Sequence, residues 1–212
     1  MKQILLFGAT GSTGREAVIQ ALKNGFAVTI IVRNPAKWDL RHPALAILKG
    51  DVMQPASFEK EMVGKAAVIS CLGTGKDLKP TTLFSAGMEN IISAMNKANV
   101  SRLICLSAGA LHTTREMGFF IRLLAKVVIQ NILKNLFADM RVMEKIVESS
   151  NLNWSIIRPP MLKDKPRTNN YRVAVGSHLT RPFSIGRADL AHYIVLIIDD
   201  RATFKSKIEI AY

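Results

Sequence analysis

Short apolar runs alternate with segments of helical spacing along the whole chain. Residues 3–7 form an apolar run closed by a glycine turn, and 14–24 carry helical periodicity. "AVTIIV" at 27–32 is β-branched and predicts a buried strand. "LAILKGDV" at 45–52 predicts a third strand with its exit turn, and a helix is expected to begin near Pro55. "AAVISCLG" at 66–73 predicts the fourth strand, 81–97 a helix and 102–106 the fifth strand. A long helical segment is expected from about 116 to 149, then a strand in "WSIIRPP" at 154–160, stopped by its prolines. Residues 187–199 predict a further helix and 206–211 a last strand, while 161–186 is the least regular stretch.

This order predicts an α/β fold: a single-domain, Rossmann-like, doubly wound parallel sheet with helices on both faces. Residues 1–212 are read as one domain, with a substrate site built from loops at about 108–120 and 158–187. The chain has 212 residues, 49% of them hydrophobic, enough for a full core. The opening run lacks the pattern of a secretory signal, and no apolar stretch of ~18 residues predicts a transmembrane segment. A cytoplasmic location is expected. Cys71 and Cys105 each end or lie in apolar runs and read as reduced core thiols, with no metal expected.

The chemistry begins in "LLFGATGSTGREA". Gly8, Gly11 and Gly14 follow a strand and open a helix, the context in which a glycine pattern signals a dinucleotide phosphate turn. Backbone N–H groups and the helix N-terminus suit a pyrophosphate, and Gly14 lets the helix approach the strand. The second strand ends in Arg33 and Asn34, where NAD-binding proteins tend to place an acid. Arg33, with Arg15 nearby, suits a 2′-phosphate, so NADP(H) is the expected cofactor. Asp51 and Val52 follow the third strand and suit the adenine, while Cys71, Leu72, Gly73 and Thr74 close the fourth beside the cofactor ribose.

In "RLICLSAGALH", Ser107 and Ala108 end the fifth strand, where catalytic serines of nucleotide-binding sheets often sit. The usual helpers, a tyrosine with a lysine four residues on, are missing: Tyr171 is followed by Val175, Tyr193 by Ile197, and Tyr212 ends the sequence. A simple ketone needs a proton at its developing alkoxide. An extended π-acceptor delocalises the charge, and orientation then supplies much of the rate.

The stretch "CLGTGKDLKPTTLFSAGMENIISAMNKANVSRLICLSAGAL", with "FGATGSTG", "TIIVRNP" and "GDV", resembles the NADPH-dependent flavin reductases that also act as biliverdin-IXβ reductases. These are atypical short-chain dehydrogenase/reductases close to the NmrA-like proteins. The resemblance covers residues 1 to about 112, "ADMRVMEKIVESSNLNWSIIRPPML" and "FSIGRADLAHYIV". It implies hydride transfer from NADPH to a planar acceptor such as a flavin, a linear tetrapyrrole or a quinone. It further implies Thr10, Ser12 and Thr13 at the phosphates, Ser107 beside the acceptor, and Pro159 and Pro160 near the nicotinamide carboxamide. Met161 stands where some members carry histidine. The same resemblance admits a non-enzymatic NmrA-like redox sensor.

The net charge of +13 attracts anions, whether nucleic acid, acidic lipid or phosphorylated ligands, and does not choose among them, although no nucleic-acid recognition motif accompanies it; with the resemblance, a small planar anionic substrate is the expected partner. Arg158, Lys163, Lys165, Arg167, Arg172, Arg181 and Arg187 crowd into 158–187 with one acid, Asp164. They read either as a basic rim for substrate anions or as a solvated loop. His112 and His178 are candidate acids, and Asp189 reads as a helix-start carboxylate. Arg122, Lys126, Gln130 and Lys134 form one polar stripe on a broadly apolar segment, 118–137. Its apolar face is read first as core, then as a homodimer contact, then as a membrane-surface helix.

Overall fold

Eight strands make the central sheet, in the spatial order Leu45–Lys49 (β3), Ala27–Val32 (β2), Gln3–Phe7 (β1), Ala67–Ser70 (β4), Arg102–Leu106 (β5), Asn153–Arg158 (β6), Ser206–Ala211 (β10) and Arg172–Val175 (β8). The computed structural model describes residues 1–75, 77–111 and 133–212. All neighbouring pairs run parallel except β8, which lies antiparallel to β10 at one edge. The order reverses between β1 and β4, and the C-terminal ends of the strands there form the crevice in which such folds bind ligands.

Alternation within the strands divides the core in two. Ile4, Leu6, Val28, Ile30 and Ile69 face the helices Ser12–Lys23 (α1) and Arg187–Leu196 (α4), which pack on each other. Leu5, Phe7, Ile31, Val68 and Leu103 face Ser85–Lys97 (α2) and Lys134–Glu148 (α3), also mutually packed. Both faces of β1 are buried, so its apolar run is continuous rather than alternating. Cys71 belongs to the first core and Cys105 to the second. Burial pushes both thiols up, Cys71 to about 12, so both stay protonated at neutral pH.

Several boundaries differ from expectation. Near Pro55 two short 3-10 turns, Pro55–Ser57 and Glu59–Met62, replace the helix. The Ser57 hydroxyl donates to the Gln54 carbonyl at 2.6 Å and takes the Asp51 N–H at 3.0 Å, holding a turn where a helix would have propagated. α2 begins at Ser85 rather than 81. Its first N–H groups, Phe84 and Ser85, donate to the Asp139 carboxylate of α3, at 2.8 and 3.2 Å. The irregular stretch 161–186 contains β8 and a small parallel pair, Met161–Lys163 (β7) with Ser184–Gly186 (β9). The sheet is therefore mostly, not wholly, parallel. Of the apolar basic segment 118–137, only the portion from 133 onward is described, where α3 begins; the expected dimer or membrane contact falls outside the described residues. Among the described residues no helix is long and apolar enough to cross a membrane.

Candidate functional site

The turn after β1 is built by contact. Gly8 has φ +78°, and a β-carbon there would collide with the backbone of Cys71. The Gly8 carbonyl takes the Gly11 N–H at 3.1 Å, and a β-carbon on Gly14 would overlap that same carbonyl. α1 thus begins hard against β1. No side chain caps its N-terminus and no acid lies in its first turn, so its N–H groups and dipole are available to an anion.

A cleft of about 1390 Å³ runs from this turn along the strand ends. Of the residues expected at a cofactor, Gly8, Thr10, Gly11, Ser12, Thr13 and Gly14 line its floor, Arg33, Asp51 and Val52 one end, and Cys71, Leu72, Gly73 and Thr74 the middle. Ser107, Ala108, Pro159, Pro160 and Met161 line the other side. Cys71 contributes its surroundings rather than its chemistry, being buried and protonated. Asp51 spends one carboxylate oxygen on the Met53 N–H at 2.9 Å. Val52 packs against Gly87 of α2, and its carbonyl takes the Asn90 amide at 3.0 Å.

Two expected residues do not line the cleft. Arg15 turns to Asp39, at 2.7 Å, and lies over the Trp38 ring, 5.2 Å from its centroid. Its guanidinium holds the exposed Asp39 carboxyl below the usual range. The Asn34 side chain takes the Ala36 N–H at 3.1 Å and so caps the short turn Pro35–Lys37. Arg33 is exposed, lines the cleft and has no carboxylate partner among the described residues.

The ends of β5 and β6 are stitched together. The Ser107 N–H donates to the Ile157 carbonyl, and the Gly109 N–H to the Pro159 carbonyl, both at 2.8 Å. Ser107 is 6% exposed, and its hydroxyl has no partner among the described residues. A buried hydroxyl usually finds one, so an orphan on a cleft wall points to a group that arrives from outside. Behind this corner Arg158 grips Glu144 of α3 through two hydrogen bonds, at 2.9 and 2.6 Å, both side chains buried.

Leu136, Phe137 and Met140 of α3 and Leu162 and Phe183 add apolar lining to the same cleft. The sequence places those α3 residues only on an apolar helix face, since periodicity separates faces but does not say which part of a face meets a cavity. Thr81 and Thr82 also line the cleft, from the stretch that carries the family resemblance. Of the expected loop 108–120, residues 112–120 lie outside the described residues.

The basic rim is not assembled as one unit. Arg158 is consumed by Glu144, Arg172 donates to the Thr180 and Tyr212 carbonyls, and Lys163 lies over the Phe183 ring. Of that series only Arg187 lines the cleft, while paired with Asp164 at 2.7 Å. His178 is bound to Glu209 at 2.7 Å, and His112 falls outside the described residues. Asp189 is fully buried and takes the Thr168 and Asn169 N–H groups and the Thr168 and Tyr212 hydroxyls, a structural carboxylate. None of the three tyrosines lines the cleft.

A family model described as NAD(P)H-binding matches residues 8–201. An uncharacterized chloroplastic protein of Arabidopsis thaliana is 32% identical over 177 residues, 80% of this chain and 62% of its own length. A Bacillus subtilis protein named as an uncharacterized sugar epimerase, YhfK, is 26% identical over 95% of this chain and 90% of its own. Among solved structures, a Rossmann-fold NAD(P)-binding family protein from Shigella flexneri is 26% identical with TM-score 0.74, covering 99% of this chain and 93% of its own. A short-chain dehydrogenase/reductase from Veillonella parvula, solved in complex with NADP, is 19% identical with TM-score 0.81, covering 100% and 94%.

Proposed function

This chain belongs to the NAD(P)H-binding family, and from that premise we propose that it is an NADPH-dependent reductase of a planar acceptor, of the flavin, linear tetrapyrrole or quinone class. The observation that supports the reading is at Ser107: an orphan buried hydroxyl on the wall of a cleft lined by the glycine turn and by apolar side chains, with no tyrosine among its described lining residues.

The glycine turn and the uncapped start of α1 fit a pyrophosphate. Arg33, unpaired and with no acid beside it at the end of β2, fits the extra phosphate of NADP(H). Bound NADPH supplies a hydride. The chain's own part is to orient and enclose. Phe183, 55% exposed and on the cleft lining, offers a face for a flat ring. Ser107 donates a hydrogen bond to the acceptor or to the nicotinamide amide and so fixes their mutual placement. The proton that accompanies the hydride comes from water, which a delocalised acceptor tolerates.

The relative named as a sugar epimerase raises a competing chemistry. Removing a proton from a sugar hydroxyl calls for a poised base, and no tyrosine is at hand for that role among the described residues. Anaerobic loss of NADPH absorbance with FMN, biliverdin and a simple quinone offered in parallel tests the reading. Turnover with one of them, and far less with NADH, is expected. Bound NADPH without turnover would instead favour a regulator that senses the cofactor.

A further inference from the structure

A second depression, of about 660 Å³, lies on the sheet face covered by α1 and α4, away from α2 and α3. Its two walls repeat one pattern. Along α1, Arg15, Ile19 and Lys23 stand at four-residue intervals on one side of the helix, in the order cation, apolar, cation. The chain after β7 supplies Lys165, Pro166 and Arg167, the same order again. From Arg15 to Lys23 the α1 row rises about 12 Å, the length of roughly four residues of extended chain.

Lys23, Lys165 and Arg167 are exposed, line this depression and not the large cleft, and make no ion pair among the described residues. Arg167 reaches the Gln20 amide oxygen, at 3.4 Å, and Lys165 lies over the Tyr212 ring. Arg15 and Arg187 already pair with Asp39 and Asp164. The walls are held in place: Gln20, buried in α1, donates to the Ala188 carbonyl at 2.7 Å, and the Asp189 carboxylate takes the Thr168 and Asn169 N–H groups just past Arg167. Cations fixed around one hollow raise its potential together.

The other lining residues narrow the choice of partner. Glu16 and Asp164 line the hollow, and no aromatic ring is among its described lining residues. Acids repel a run of phosphates, and a floor without rings offers nucleic-acid bases nothing to stack on. A concave surface withdraws its cations from a flat membrane. With 29 basic and 16 acidic residues, a second copy of this chain is a poor source of carboxylates.

We propose that this hollow docks an extended acidic segment of a partner protein, in which carboxylates flank an apolar side chain. The carboxylates meet Lys23 on one wall and Lys165 and Arg167 on the other, and the apolar side chain lies on Ile19 and Pro166. Ser12 and Arg187, which also line the large cleft, are left to the cofactor side. Such docking holds whether or not the cleft reduces an acceptor.

Fluorescence anisotropy of a labelled Asp-Glu-Leu-Glu-Asp peptide, at about 0.15 M salt and with saturating NADP+, tests the site. This peptide should bind about tenfold more tightly than Asn-Gln-Leu-Gln-Asn, as two or three exposed ion pairs together provide. It should also bind more tightly than Asp-Glu-Ser-Glu-Asp. Lys23→Glu combined with Lys165→Glu should erase the charge preference. Lys60→Glu combined with Lys205→Glu, an equal change of charge on exposed lysines that line neither the hollow nor the cleft, should keep most of it. Equal affinity for the charged and neutral peptides, or for the leucine and serine peptides, overturns the site. So does an equal loss in both double variants, or binding that NADP+ abolishes. A poly-dT oligonucleotide, or vesicles of phosphatidylserine and phosphatidylcholine, that bind more tightly than the peptide and are lost on the Lys23 and Lys165 reversals would overturn the choice of an acidic protein.

Discussion

A β-carbon on Gly14 would overlap the carbonyl oxygen of Gly8. The obstruction is backbone, so no side chain can swing aside. Gly14→Val must push α1 away from β1 and carry the first-turn N–H groups with it. NADPH affinity, measured by calorimetry, should fall by more than about tenfold, or ~1.4 kcal/mol. Gly14→Ala, which adds the same atom with less bulk, should follow in the same direction. Retained affinity in both would refute the phosphate turn.

Arg33→Ala should separate the two cofactors. A charge-assisted contact to phosphate contributes about 1.5–3 kcal/mol, so NADPH should bind roughly 10- to 150-fold more weakly. NADH has no 2′-phosphate and should be nearly unaffected. Arg15→Ala should cost NADPH less, because Asp39 already occupies that guanidinium. Equal losses for NADPH and NADH in Arg33→Ala would remove the assignment.

The parts of the site that a reader of the sequence can find are those dictated by backbone geometry. A glycine turn between a strand and a helix announces Gly8, Gly11 and Gly14, and each strand end along the sheet announces its loop. Long-range side-chain choices are less legible. Nothing local in "VRNP" says that Asn34 will cap its own turn, or in "GREA" that Arg15 will turn to Asp39 over Trp38. Arg158 reads as one more surface cation until Glu144, 14 positions earlier, meets it across a packed interface. The antiparallel edge strand β8 is four residues, RVAV, set in an otherwise polar stretch, too short for its apolar pattern to stand out. Phe137 and Met140, which line the cleft from the core, look like ordinary core in a periodic pattern.

Ser107→Ala should show opposite effects on activity and stability. The hydroxyl is buried without a partner, so removing it relieves a desolvation penalty of about 1 kcal/mol or leaves stability unchanged. Acceptor turnover should slow while NADPH affinity holds. Paired thermal melts and steady-state kinetics check both. A destabilised variant with normal turnover would make Ser107 a purely structural residue.

Asp189→Asn addresses the acid limb of stability. Burial alone would raise this carboxyl, but hydrogen bonds from Asn169, Thr168 and Tyr212 outweigh it, and its pKa lies below the ordinary value. A depressed native pKa contributes stability that is fully present above the unfolded value, about 4, and is lost as pH falls through the folded value. The variant should therefore melt lower at neutral pH, with the gap to the unaltered protein closing in acid. A gap that stays constant down to the acid limit would show that charge is not what holds Thr168, Asn169 and Tyr212.

The buried pair Arg158–Glu144 joins β6 to α3 directly behind the corner that carries Ser107 and Pro159. Removing one partner leaves a desolvated charge, at a cost of about 3–5 kcal/mol, whereas replacing both by apolar groups of similar volume is often near neutral. Arg158→Met and Glu144→Met should each lower the denaturant midpoint strongly, and the double variant should recover most of the loss. Because β6 also holds Ser107 through the Ile157 carbonyl, the recovered double variant should still show an altered KM for the acceptor. Full recovery of stability and of KM together would confine the pair to packing. Recovery of stability alone would make Arg158 a positioning residue for the Ser107 side of the cleft.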